Sequence, residues 1–121
     1  MLERNAMSEL QGTARLKIHT GKLDDFKRLA VKCMELARAK DSGTLQYDWF
    51  FNGDDSECLV HERYRNSEAL FEHVANLGDT LGALRETCTI TGEVCGMPSP
   101  ELRKAFEGSD VRIYYPYQSL K

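Results

Sequence analysis

The sequence has little that would tie it to nucleic acid, to lipid or to a metal. It has no run of Lys and Arg: 16 basic residues face 19 acidic ones, for a net charge of −3. A nucleic-acid or anionic-membrane partner therefore has no electrostatic footprint. No apolar stretch approaches the roughly 18 residues of a membrane span, and the opening MLERNAMSEL has no apolar core of a secretory signal. Cys33, Cys58, Cys88 and Cys95 form no C-x-x-C pair and no zinc-spaced Cys/His set. They are expected to be buried thiols in a reducing cytoplasm, without disulfides. Asp54-Asp55 lacks calcium-loop spacing, and no phosphate loop, nucleophile elbow or H-E-x-x-H occurs. The reading calls for no metal and no cofactor. With no repeat, low-complexity tract or linker, the 121 residues read as one domain. Residues 1–10 are set aside as a flexible leader, with Met7 an alternative start, leaving residues 11–121 as the domain.

What is present is concentrated in residues 44–77, TLQYDWFFNGDDSECLVHERYRNSEALFEHVANL. Leu45, Tyr47, Trp49 and Phe51 recur at every second position and predict one face of a strand. Asn52-Gly53-Asp54-Asp55 predicts a hairpin reversal, with Asn and Gly taking positive φ. Cys58, Val60, Glu62 and Tyr64 alternate on the return strand. Asn66-Ser67 offers an N-cap, and Leu70, Val74 and Leu77 make an apolar helical stripe that includes His73.

Around this stretch, residues 12–20 alternate as a first strand, and Phe26, Leu29, Ala30, Cys33, Leu36 and Ala37 keep helical spacing to about Lys40. A short turn or helix is expected from Thr80 to Glu86 and a fourth strand from Cys88 to Cys95. Ser99 should cap a short helix with Pro100 at its first position, and Val111 to Tyr115 should be a fifth strand. The order β-α-β-β-α-β is the split βαβ, ferredoxin-like pattern of an α+β fold with an antiparallel sheet. Leu16, Ile18, Leu45, Tyr47, Trp49, Val60, Glu62 and Tyr64 should face the helices. Lys17, His19, Gln46, Asp48, Phe50, Leu59, His61 and Arg63 should face away. Phe50 and Leu59 among charges suggest that the second face meets a partner, most simply a second copy.

Several of these residues resemble the antibiotic biosynthesis monooxygenase domain of the dimeric α/β-barrel superfamily. They are Gly43-x-Leu45-x-Tyr47, Glu62-x-Tyr64, Ser67-Glu68-Ala69-Leu70 and His73. The resemblance covers about residues 12–96, with residues 97–121 a helix and strand extension in which Val111 to Tyr117 resembles the C-terminal element such relatives often use at the dimer contact. It implies a homodimer whose two sheets pack face to face as a barrel, with a pocket between helices and sheet in each subunit. The activity it implies is oxidation of a phenol, hydroquinone or quinol by molecular oxygen without metal or flavin. Other members degrade haem or isomerise small carbonyl compounds. Tyr64 stands where many members have Trp.

The candidate catalytic residues are His73, Glu62 and Tyr64, and the candidate substrate-binding residues are Tyr47, Trp49 and Phe51. His73 reads as a general base, or as a helix histidine satisfied by Glu62 or a carbonyl. Glu62 reads as its helper, or as a structural partner of Arg63, Arg85 or His73, because an inward carboxylate is costly unpaired. Tyr47 and Tyr64 offer hydroxyls and Trp49 and Phe51 offer stacking surface, although alternating aromatics also build plain core. His19 and His61 fall on the opposite face, as barrel-interior polar residues. The function expected is a cofactor-independent monooxygenase acting on a small aromatic. The alternatives are an isomerase of a small carbonyl compound and a non-catalytic dimeric ligand-binding or stress-response module.

Overall fold

The computed structural model describes residues 8–120; residues 1–7 of the expected leader and Lys121 lie outside it. Five strands, β1 (Leu10–Ile18), β2 (Thr44–Phe51), β3 (Glu57–Tyr64), β4 (Cys88–Cys95) and β5 (Val111–Tyr114), form one sheet in the order β2-β3-β1-β4-β5. All neighbours are antiparallel except β4 and β5, which run parallel. The helices are α1 (Leu23–Lys40), α2 (Ser67–Leu77), α3 (Asp79–Arg85) and α4 (Pro100–Phe106). The fold is the α+β, ferredoxin-like arrangement, with β5 added beside β4.

Local chemistry accounts for the element ends. Asp24 and Asp25 sit in the first turn of α1 and Arg38 and Lys40 in its last, matching the helix dipole. The Asn66 side chain accepts from the Ala69 amide at 2.9 Å and starts α2. Ser99 accepts from the Leu102 amide, with Pro100 following it, and starts α4.

Five details differ from the sequence reading. β1 begins at Leu10, which is fully buried, so the part of the leader nearest the domain belongs to the sheet. Leu45 is exposed, not helix-facing, because the β2–β3 register shifts between Thr44 and Gln46 and makes Leu45 the extra residue of a bulge. Val74 is also exposed, so the buried stripe of α2 is Ala69, Leu70, His73 and Leu77. In the hairpin the positive φ falls on Asp55, at 58°, while Asn52 braces the turn through its side chain. Cys33, Cys58 and Cys88 are buried free thiols, but Cys95 is exposed.

The core on the helix side of the sheet comes in two parts. One gathers Leu16, Phe26, Leu29, Cys33, Cys58, Val60, Leu77, Leu84 and Cys88. The other gathers Leu10, Tyr64, Ala69, Leu70, Val94 and Leu102. Leu16 and Leu10 lie at opposite ends of β1, and the half-exposed Gly12 and Ala14 lie between them. The gap over these small residues is a cavity of about 180 Å³.

Candidate active site

At the end of α1 the chain places an acid where the helix dipole disfavours one. Asp41 is the C-cap, its amide bonded to the Ala37 carbonyl and its backbone extended, which turns the side chain inward. Three donors converge on that buried carboxylate. Thr44 Oγ1 donates to Oδ2 at 2.7 Å, Asn76 Nδ2 donates to Oδ1 at 2.8 Å, and His73 Nδ1 lies 2.6 Å from Oδ2. Burial pushes the Asp41 carboxyl up. The bonds from Asn76, Thr44 and His73, with the imidazole's charge, more than offset that and hold it below its ordinary value.

Gly43 makes this meeting possible. A Cβ there would lie 2.5 Å from the Cβ of Ala69, so only glycine lets the start of β2 approach α2 closely enough for His73 to reach Asp41. An ionised Asp41 only accepts, so His73 donates from Nδ1, and in the neutral imidazole that leaves Nε2 as the acceptor. His73 is almost fully buried. Tyr47 packs edge-on to its ring at 4.6 Å between centroids, and Tyr64 packs tilted against it at 5.3 Å.

Glu62 is brought beside this pair by the sheet register, opposite Tyr47 on β2 and Gly12 on β1. The Tyr64 hydroxyl donates to it. Burial raises the Glu62 carboxyl above its ordinary value, and the Tyr64 bond and the nearby His73 charge lower it only in part. Burial, with the neighbouring acids, also pushes the Tyr64 and Tyr47 hydroxyls upward, so both stay protonated donors. Burial takes the Cys33 thiol to about 11, and the nearby Tyr47 hydroxyl lowers it only in part. The Trp49 indole N–H lies near enough to the Tyr47 hydroxyl to ease its ionisation slightly. It falls outside hydrogen-bond geometry, however, and has no other partner.

Five of the six residues singled out from the sequence thus line one cavity: His73, Glu62, Tyr64, Tyr47 and Trp49. Phe51 does not. It is exposed and packs on Phe26, with Lys27 over its ring. The partners expected for Glu62 change as well: its hydrogen bond is with Tyr64, and Arg63 pairs with Glu9 at 2.9 Å. His73 is satisfied by Asp41, a residue the sequence reading did not single out. The available clue was an acid directly after a basic last turn, followed three residues on by Thr44. His19, bonded to Thr89, and His61, packed on Phe50, lie on the open face of the sheet. Among the described residues no three His, Cys, Asp or Glu gather in a metal-ligand set, and no helix is long and apolar enough to cross a membrane.

The sequence model of the antibiotic biosynthesis monooxygenase family matches residues 13–78, just over half the chain. No functionally curated protein matches. Among solved structures, MupZ from Pseudomonas fluorescens is similar at TM-score 0.82 and 20% identity, over 94% of this chain and 89% of that one. Such coverage requires that much of the segment after Cys95 is shared. Rv0793 from Mycobacterium tuberculosis superposes at TM-score 0.66 and 23% identity, over 76% of this chain and 97% of that one. SnoaB from Streptomyces nogalater, a cofactor-independent oxygenase, superposes at 0.65 and 15% identity, over 76% and 95%. At these identities the structures speak for the fold.

Proposed function

The chain belongs to the antibiotic biosynthesis monooxygenase family, and from that premise we propose that it oxidises a small phenol, hydroquinone or quinol with molecular oxygen, without metal or flavin. One observation carries the reading: a buried imidazole whose Nδ1 is held by a carboxylate, leaving Nε2 as a base in a mostly apolar cavity. His73 takes the hydroxyl proton and Asp41 steadies the imidazolium. The resulting phenolate gives its electrons to oxygen through a ring carbon, forming a C–O bond as a hydroperoxide. Loss of water leaves a carbonyl, so a hydroquinone and one oxygen molecule yield a hydroxyquinone and water. The Tyr47 hydroxyl, and a Glu62 carboxyl that burial biases toward its neutral form, supply donors to the developing oxyanion. Trp49 closes the apolar wall.

The test is oxygen uptake by metal-free protein against hydroquinones and phenols. His73→Gln should lower kcat/KM by about 10²–10⁴-fold, the usual worth of a general base. Uptake that survives this change would remove His73 from the mechanism. The Glu62–Tyr64 pair favours a second reading, because a carboxyl and a phenol side by side could polarise a carbonyl while His73 moves the adjacent proton. That isomerisation consumes no oxygen. Either chemistry is proposed for a homodimer in which a second copy covers the open face of the sheet.

A further inference from the structure

Gly12 has no structural reason to be glycine. It lies mid-strand, where glycine weakens a sheet, and its φ is not in the left-handed region. A Cβ there would meet Glu62 Cβ and the Glu93 carbonyl at 3.8 Å, ordinary contact distance. Gly92 differs: its Cβ would lie 3.0 Å from the Thr13 carbonyl, so strand packing explains it. What a side chain at Gly12 would do is enter the cavity, since Gly12 lines it between Glu62 and Val94, its partners across the two ladders.

Resting on the oxygenase reading, we infer that Gly12 is a specificity-determining position: the substrate is a single-ring diol whose ring lies flat on the bare backbone there. In that pose the ring sits in the gap between the two halves of the core, one holding Leu16 and the other Leu10. Its hydroxyl reaches the His73, Glu62 and Tyr64 side of the cavity. Size supports the single ring. A cavity of about 150 Å³ accepts one benzene, and this one holds about 180 Å³, enough for one ring with small substituents and too little for a fused three-ring system. Strand side chains stand upright from a sheet, so only a residue without one leaves a flat floor for an aromatic face.

The experiment is calorimetric titration under nitrogen with benzene-1,4-diol and with anthracene-9,10-diol, on wild type, Gly12→Ala and Gly12→Val, alongside melting temperatures. Wild type should bind the one-ring diol and not the three-ring one. Gly12→Ala should bind it about tenfold more weakly, the low end of what one carbon in a hydrophobic pocket is worth, and Gly12→Val should show no binding. The melting temperature of Gly12→Ala should stay level or rise, which a structural glycine would not allow. Should Gly12→Val fail to fold, Gly12→Ala carries the test. Equal affinity in wild type and Gly12→Ala, or a wild type that does not bind benzene-1,4-diol, overturns the inference. Because oxygen is excluded, the outcome does not depend on turnover: a protein that binds the diol at Gly12 but consumes no oxygen loses the oxygenase reading and keeps the floor.

Discussion

Asp41 accepts from three donors on two oxygens, and that count makes its replacement informative. In Asp41→Asn one oxygen becomes an NH₂. Whichever way the amide turns, it faces either Asn76, or Thr44 and His73. A buried donor left without an acceptor costs about 1–3 kcal/mol, and thermal melting should register the loss. If the NH₂ takes the place of Oδ2, His73 must accept at Nδ1 and carry its proton on Nε2, which inverts the base. A carboxylate-to-amide change behind a catalytic histidine lowers turnover by up to about 10⁴-fold. Activity equal to wild type in Asp41→Asn would reduce the pair to a structural device. Glu62 makes an opposite statement about pH. Its folded-state pKa lies above the ordinary 4.5, so the native state holds the proton longer than the unfolded chain does. Its contribution is complete below the unfolded value and is lost as pH rises through the folded one. Asp41, held below 3.8, contributes above the unfolded value and loses its contribution as pH falls through the folded one. Melting temperature against pH should therefore decline above about 4.5 in wild type and flatten there in Glu62→Gln; identical profiles would show that Glu62 titrates as in water. His73, Glu62 and Tyr64 could be found from the sequence because strand and helix periods put them on one face. Asp41 could not, because its role depends on where α1 stops and how β2 leaves it, a tertiary fact with no period.

At the scale of elements, the site depends on the approach of α2 to the start of β2. Gly43→Ala places a methyl 2.5 Å from the Ala69 Cβ, so the helix must move. Overpacking of this kind costs about 1–3 kcal/mol, and the displacement carries His73 away from Asp41, so stability and oxygen uptake should fall together. A Gly43→Ala protein with wild-type melting and activity would show that the contact is slack. The same segment shows where sequence reading slips. Alternation predicted β2 correctly in type and extent, but it assigned Leu45 to the helix side because a bulge does not alter the pattern of residue types. Leu10 was missed for a related reason: Gly12 interrupts the apolar alternation that would otherwise have continued the strand backward. The two leucines should behave oppositely on mutation. Leu10→Ala removes a fully buried side chain and should cost about 2–5 kcal/mol, whereas Leu45→Ser at the exposed bulge should stay within about 0.5 kcal/mol.

For the molecule as a whole, the helices cover one face of the sheet and leave the other open. That open face mixes an exposed Phe50 and a half-buried Leu59 with the Arg15–Glu57 and Arg63–Glu9 ion pairs. The element order, the added β5 and the face assignments other than those of Leu45, Phe51 and Val74 were readable in the sequence, because each follows from local period and turn chemistry. The occupant of the open face was read as a second copy from Phe50 and Leu59 among charges, although a mixed face carries no period of its own. A second copy is the proposed occupant, and light scattering should give twice the 13.8 kDa of one chain. Phe50→Glu places a charge where the partner would bury the ring, an arrangement that costs several kcal/mol unless it is paired. The mass should then fall to that of a single chain. The cavity lies on the other side of the sheet, and the C-terminal residues that line it, Phe106 and Val111, pack against the same chain's core. Oxygen uptake should therefore survive in the single-chain variant and still be lost with His73→Gln. A Phe50→Glu protein that keeps the double mass would place the contact elsewhere. A wild type with the mass of one chain would remove the two-subunit barrel altogether and leave the Asp41–His73 cavity as a site complete within one chain.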